Sequence, residues 1–435
     1  MTRAAVDQVV QLGRELTSGT RIAATRRLPG LSINILPQAN QRQFRGKGNN
    51  VTTSAVIDRL FSNGTYDGFL DYNAIVYVLA SMIGVDDGYT PDRIGATDGY
   101  EWEFNPVSAG PDLFPVTYTA EEGDSEAAMI TDHLRFLSLN VDWSNDGANI
   151  NGNLIGRFPD DGETLTTLTD EQQLITKSGT VTGGTFTITY DGQTTSAIAY
   201  NATNAVVLTA LEALSNLAPG DVVLYGGPVN TAPLRIVFQG TLKGTNVAAV
   251  TVDSGSLTGG GTYVPSTDLA GGASLTEIDQ RPVSRNQVDL YIDDSYASIG
   301  TTKITAAYAG NFTVGDKAGP FWALNTDFDS FVDLVHIAAD VGGSFSTAHN
   351  SQSRSLYQNI SGNATKYLRI IAQGENIGVS ADEQIRLDAA IRLGQPEKDQ
   401  DVNGVFGFKF NFASIHDADL GGAYKFYVVN RLTQL

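Results

Sequence analysis

From Ile385 to Leu393 the chain alternates: Ile385, Leu387, Ala389, Ile391 and Leu393 hold one parity, and Arg386, Asp388, Ala390 and Arg392 the other. A period of two sends successive side chains to opposite faces of a strand. The segment therefore reads as one strand of a sheet with one apolar and one wet face. The pattern recurs in Phe136–Trp143, where Leu137, Leu139, Val141 and Trp143 oppose Phe136, Ser138, Asn140 and Asp142. Val288–Asp293 repeats it, with Val288, Leu290 and Ile292 against Asp289, Tyr291 and Asp293. Helical spacing is rarer. Asp71–Ile83 predicts a helix capped by Asp71, and Asp327–Ala339 a second one capped by Asp327, with Phe331, Leu334, Val335 and Ala338 inward. The expected fold class is mainly β.

A chain of 435 residues is long enough for several cores. With no cysteine, disulfides, thiolate zinc sites, iron–sulfur clusters and Cys nucleophiles are excluded. The four histidines, His133, His336, His349 and His416, are too scattered to suggest a His-rich metal site. A net charge of −20 argues against wrapping nucleic acid by phosphate neutralisation, though not against a surface past which DNA slides. The N-terminus lacks an apolar leader core, and no apolar run is long enough to span a membrane, so a soluble, unanchored chain is expected.

Charge is distributed in blocks. Residues 1–59 hold nine basic and three acidic groups, residues 60–172 three and twenty-one, and residues 173–274 only three and five. Such blocks suggest segments facing different environments. The near-neutral stretch has its own texture: two strands around an Asp191-Gly192 turn, a helix from about Ala202 to Leu217 stopped by Pro219-Gly220, then strands DVVLYGG and LRIVFQG. It reads as an inserted α+β module at 173–274. The flanks, 20–172 and 275–435, have similar lengths and one predicted helix each, which suggests two copies of one sheet-plus-helix domain behind an N-terminal arm, 1–19. That arm reads as a short helix or as a segment ordered only on assembly.

Several chemical motifs are incomplete. Gly310 to Lys317 has phosphate-loop spacing, but Asp316 stands where the lysine belongs and would repel phosphate. Asp142-x-Ser144-x-Asp146-Gly147 begins like a calcium loop, yet its twelfth position is Asn153 instead of a bidentate Glu; a hairpin turn is the simpler reading. Ser414, His416 and Asp417 are the residue types of a hydrolase triad without the geometry of one. The cluster Asp86, Asp87, Asp92, Asp98, Glu101 and Glu103 offers carboxylates for glycan cleavage, but solvated loop charges are the plainer account. No catalytic residue, metal or cofactor is expected.

The run TRIAATRRLPGLSINILPQANQRQFRGKGN followed by FSNGTYDGFLDYNAIVYVLASMIG resembles the N-terminal part of major tail (tail tube) proteins of long-tailed, non-contractile bacteriophages. The resemblance continues through VDLYIDDSYASIGTTKITAAYAGNFTVGDKAGPFWALN, ATKYLRIIAQG and FNFASIHDADLGGAYKFYVVNRLTQL. The 173–274 segment looks like a small module found within diverse phage tail proteins.

This resemblance implies β-sandwich tube domains whose inner sheets join edge to edge into an oligomeric barrel. With two tube domains per chain it implies trimeric, pseudo-hexameric rings stacked into a tube, with the module projecting outside. The implied partners are further copies of the chain, the tail terminator, the tape measure and distal tail proteins. DNA passes the lumen without specific binding, and the protein resides in the virion after assembly in the host cytoplasm. The long hairpin of the family corresponds here to Pro37–Val56, in which Arg42, Arg45 and Lys47 surround Phe44; this basic hairpin is expected to stack on an acidic neighbour. The polar parity of Ile385–Leu393, with Arg386, Asp388 and Arg392, is the candidate lumen face. The alternatives are a capsid decoration protein, a host-surface adhesin, or a polysaccharide-active enzyme using the 86–103 carboxylates.

Overall fold

The computed structural model describes residues 9–84, 91–95, 98–106, 115–124, 127–324, 330–378, 381–402 and 405–435. The described chain is mostly strand, as alternation predicts. It divides into two compact units, residues 28–120, 129–161 and 277–435 in the larger, and residues 1–27, 121–128 and 162–276 in the smaller. Among the described residues no helix is long and apolar enough to cross a membrane.

In the larger unit we number β1 (Leu31–Phe44), β2 (Ser54–Phe69), α1 (Ala74–Met82), β3 (Leu139–Ser144), β4 (Gly147–Gly156), β5 (Ala307–Val314), β6 (Val341–Ala348), α2 (Ser351–Asn359), β7 (Lys366–Gly378), β8 (Ala381–Val402), β9 (Val405–Ser414) and β10 (Tyr424–Asn430). Eight of these strands form one antiparallel sheet in the order β1-β2-β4-β3-β5-β6-β9-β8. Its middle joint pairs β3 with β5, from Leu139 opposite Val314 to Trp143 opposite Gly310. Strands from the two flanking parts of the sequence thus share one sheet.

The connectivity on the two sides of that joint follows one scheme. On each side two paired strands precede a helix (β1, β2, α1; β5, β6, α2). Each side then ends in a hairpin whose second strand pairs back on the second strand of the series, β4 on β2 and β9 on β6.

The first half of β8 leaves this sheet to pair with β7 and β10, and β7 pairs in turn with Val288–Asp293. Apolar side chains of both sets meet: Phe312 of β5 lies against Phe412 of β9 and against Tyr424 and Phe426 of β10. Val141, Trp143, Ile370, Ile385, Leu387 and Phe426 line a common cavity. This contact buries the expected parity, with Leu139, Val141, Leu290, Ile292, Ile385, Leu387, Ala389 and Ile391 all in the core.

Helix α1 starts three residues after the expected cap. Asp71 still caps the turn, its Oδ1 accepting the N–H groups of Asn73 and Ala74 at 2.8 and 2.9 Å. All nine residues are buried, not one face alone.

The helix expected at 327–339 is a correction. Asp327 lies outside the described residues, and Asp333–His336 is a strand paired with Ala318–Phe321. Phe331 is buried in the core, while Val335 and Ala338 stay exposed, so the helical spacing there does not mark one face. The helix of this half is α2, capped by Asn350 and Ser353 in a reciprocal capping box.

In the smaller unit, Val222–Gly226, Leu234–Phe238, Gln172–Ser178 and Thr262–Leu269 make a four-stranded sheet. A helix, Asn204–Glu212, turns Val207 and Leu211 inward, four or five residues shorter at its end than the spacing suggested. Ile175, Phe186, Ile188, Leu234, Ile236 and Tyr263 belong to a common core. The hairpin turn is at Asp191 and Gly192, both with positive φ (42° and 77°), the conformation a two-residue turn requires. Val9–Arg14 is a strand, which replaces the helical reading of the arm. It is tied down by Glu121, whose carboxylate accepts from Gln11 Nε2, Ala24 N, Thr166 N and Thr166 Oγ1 at 2.7–3.0 Å.

Candidate functional site

The features that stand out are surfaces, not a cleft. β1 and β2 pair from Leu31–Gly68 to Phe44–Ser54, with one bulge between Asn40 and Gln41. Only the base of this hairpin belongs to the core: Leu31, Ile33, Ile35, Ser62 and Tyr66 are buried, whereas residues 40–59 are exposed on both faces. The outer part is a two-stranded ribbon standing in water, a geometry with little stability of its own.

The predicted site residues lie on this ribbon. Arg42 stacks its guanidinium 5.5 Å from the Phe44 ring, and Arg45 Nε donates to the Asn49 carbonyl at 2.8 Å, bracing the tip on which Lys47 is exposed. Sequence reading missed the apolar company: Leu36, Val51, Val56 and Ile57 are each at least half exposed. Part of their signal was present in the unbroken apolar run Ala55–Ile57, but no face was assigned to it. Basic tips and uncovered apolar side chains together describe a surface suited to a protein partner. At the base, Arg59 lies 4.8 Å from the Trp322 ring, and Phe61 meets Trp322 edge-on.

The sheet also ends in two open edges. Among the described residues β1 pairs only with β2, and β8 beyond Ile391 pairs only with β9. Unpaired edges of this length are templates for further strands.

The residues expected to face a lumen behave differently from that expectation. Asp388 is buried and makes a two-pronged ion pair with Arg369 (2.6 and 2.7 Å). That pairing, with burial acting against it, raises the Arg369 pKa. Arg386 packs over the Tyr427 ring at 3.9 Å. Ala390 is also buried, and Arg392 alone of the polar parity is exposed. The wet face inferred for 385–391 is therefore covered: Arg369 and Tyr427 engage Asp388 and Arg386, and Leu420, Tyr296, Ile299 and Ile415 pack in one cluster with Ala390.

The incomplete motifs resolve into structural parts. Asp142, Ser144, Asp146 and Gly147 form the β3–β4 hairpin, with Ser144 opposite Gly147. Gly310–Val314 lies within strand β5. Asp417 caps a turn through Asp419 N and Leu420 N and accepts from Tyr367 Oη at 3.0 Å. Asp92 and Glu101 are opposite each other in a short hairpin, and Asp86 and Asp87 lie outside the described residues. Among the described residues no group of three or more His, Asp or Glu could hold a metal.

No protein-family model matches the chain. A stretch of 102 residues, 23% of this chain, is 38% identical to a protein described as a tail sheath protein of Mycobacterium phage Bxz1, and the match spans 16% of that protein's length.

Proposed function

We propose that this chain is a structural protein of a phage tail, and that it polymerises into stacked rings enclosing a conduit for DNA. The similarity to a tail sheath protein supports the tail role in general. We infer further that 173–274 is a module carried on the outside of the tube, because it has a core of its own.

The observation that carries the tube reading is the eight-stranded sheet: it already joins two like-ordered halves through β3 and β5, and it ends in open edges at β1 and β8. Pairing β8 of one copy with β1 of the next repeats that joint between chains and removes both edges. Three chains of two halves each then close a pseudo-six-fold ring. The ribbon, basic and apolar, reaches the next ring. The role is assembly, with no catalytic residue.

Electron microscopy of the purified chain tests this. Rings or tubes with a central channel are expected; discrete compact particles without a channel overturn the reading and favour a decoration or adhesin role.

A further inference from the structure

Beside the β3–β4 turn, the two packed sheets of the larger unit part and leave an open cavity of about 360 Å³. Part of its lining is apolar: Trp143, Leu290 and Ile304 are buried and Val288 is half-buried. The Trp143 indole lies close against β5 at Gly310. A Cβ at Gly310 would come within 2.5 Å of the indole Cζ2 and 2.7 Å of its Cε2. A glycine inside a strand gives up packing and often marks such a close approach. Here it lets an aromatic ring serve as a wall of the cavity.

The rim is polar and braced. Residues Arg285–Gln287 form a single 3₁₀ turn closed by a capping box, in which the Gln287 side chain accepts from Ser284 N at 2.7 Å. On another side, Gln352 of α2 donates to the Lys303 carbonyl at 2.8 Å and accepts from Thr305 Oγ1 at 3.2 Å.

The charges on this rim do not cancel. Lys303 Nζ lies 2.6 Å from Asp289 Oδ1, and Asp289 Oδ2 accepts from Tyr291 Oη at 3.3 Å, so that pair is satisfied. Arg285 makes one long bond, Nη1 to the Asn145 carbonyl at 3.3 Å, and among the described residues no carboxylate pairs with it. In a chain with a net charge of −20, an uncompensated guanidinium therefore stands over an aromatic wall.

Apolar walls with a few placed polar groups are the anatomy of a small-molecule site. The guanidinium selects a carboxylate or sulfonate through charge-assisted hydrogen bonds, and it repels cations. The indole and its aliphatic neighbours reward a flat hydrocarbon body, which a purely polar anion lacks. We propose that this cavity binds a small aromatic monoanion, with its ring against Trp143 and its acid group on Arg285. The proposal uses the larger unit alone and does not depend on the tube reading.

Naphthoate is the probe, titrated into the full chain at neutral pH and followed by calorimetry, with the uncharged naphthamide as its comparison. Naphthoate should bind at a single saturable site per chain, and naphthamide about tenfold more weakly, the size of one charge-assisted bond. Arg285→Gln should weaken naphthoate by about tenfold and leave naphthamide unchanged, so that the two affinities converge. Arg285 is exposed, so this variant should keep its unfolding midpoint. Ser144→Trp, at an exposed rim position, should fill the mouth and abolish binding of both probes.

Absence of saturable binding by the unaltered chain overturns the site. Equal affinity for the acid and the amide overturns the role of Arg285. Naphthoate binding that ignores both Arg285→Gln and Ser144→Trp places the probe elsewhere and overturns the proposal as a whole. Should Ser144→Trp fail to fold, the comparison of acid with amide in Arg285→Gln still decides.

Discussion

Thr313 donates its hydroxyl hydrogen to the side-chain oxygen of Asn140 at 2.8 Å, across 173 positions of sequence. The two residues are also directly opposite in the β3–β5 ladder. The bond therefore reports on the seam that unites the two like-ordered halves.

Thr313→Val removes the donor and keeps the shape. It should destabilise the larger unit by about 1 kcal/mol, and Asn140→Ala by somewhat more, because Asn140 also donates to Asp142. The two changes should be non-additive. Denaturant unfolding of both single variants and the double variant measures the coupling; strict additivity would show that the seam does not depend on this contact.

The Arg369–Asp388 pair is a structural ion pair and not a channel charge. Asp388→Ala leaves the guanidinium largely inside without its carboxylate and should cost about 3 kcal/mol. Adding Arg369→Met should recover much of that loss. A denaturation midpoint that barely moves in Asp388→Ala would return Asp388 to the solvent-facing set.

Acid sensitivity has an identifiable source in His133, which is buried against Phe331. Burial, aided by Arg157, holds its pKa down at about 4. The folded imidazole therefore binds its proton less well than the unfolded one. Its contribution is complete above the unfolded value of about 6.5 and declines as pH falls toward 4, by roughly 3 kcal/mol in total. Asp71 and Asp132, whose pKa values burial raises, act in the opposite sense. The difference between the unaltered chain and His133→Gln isolates the histidine: the gap in unfolding free energy should change through that window and be flat above pH 7.

On the ribbon, Arg45→Glu with Lys47→Glu should leave the unfolding free energy within about 0.5 kcal/mol, since both side chains are exposed. Stacking should suffer instead. Microscopy at physiological salt is expected to show short stacks or single rings; isolated subunits without rings would assign this segment to ring closure. Phe44→Ala should shorten tubes as well, with less dependence on salt.

Residues 175–263 hold a core of their own, so removal of about 176–272 through a short Gly/Ser splice should leave tubes with an unchanged channel and a thinner outer profile. Loss of all tubes would make the module part of the wall.

Much of the strand content was legible because burial and parity coincide: Leu139, Val141, Leu290, Ile385 and Leu387 are apolar on one parity and buried there. The turn at Asp191-Gly192 was legible from local chemistry alone. Two errors share a cause. The 327–339 segment has helical spacing, but Phe331 is buried in a small cluster with Leu137, Ile155 and Ala318, a non-local choice that no window of sequence contains. Helix α2 has one strongly buried apolar residue, Leu356, so its periodicity was silent and only the Asn350/Ser353 cap announced it. The burial of Asp388 was likewise invisible, because alternation says which residues share a face, not whether another strand's Arg369 covers it.

The connection between β1 and β2 and its positional counterpart between β5 and β6 have taken different forms. The first projects as a ribbon, and the second turns back, placing Trp322 against Phe61 and Arg59 of the ribbon's own base. Because the two like-ordered halves travel on one polypeptide, they do not answer to identical selection. One is free to specialise in reaching outward while its sibling becomes the buttress that holds the reach steady, a division of labour that a ring of six identical chains has no means to encode.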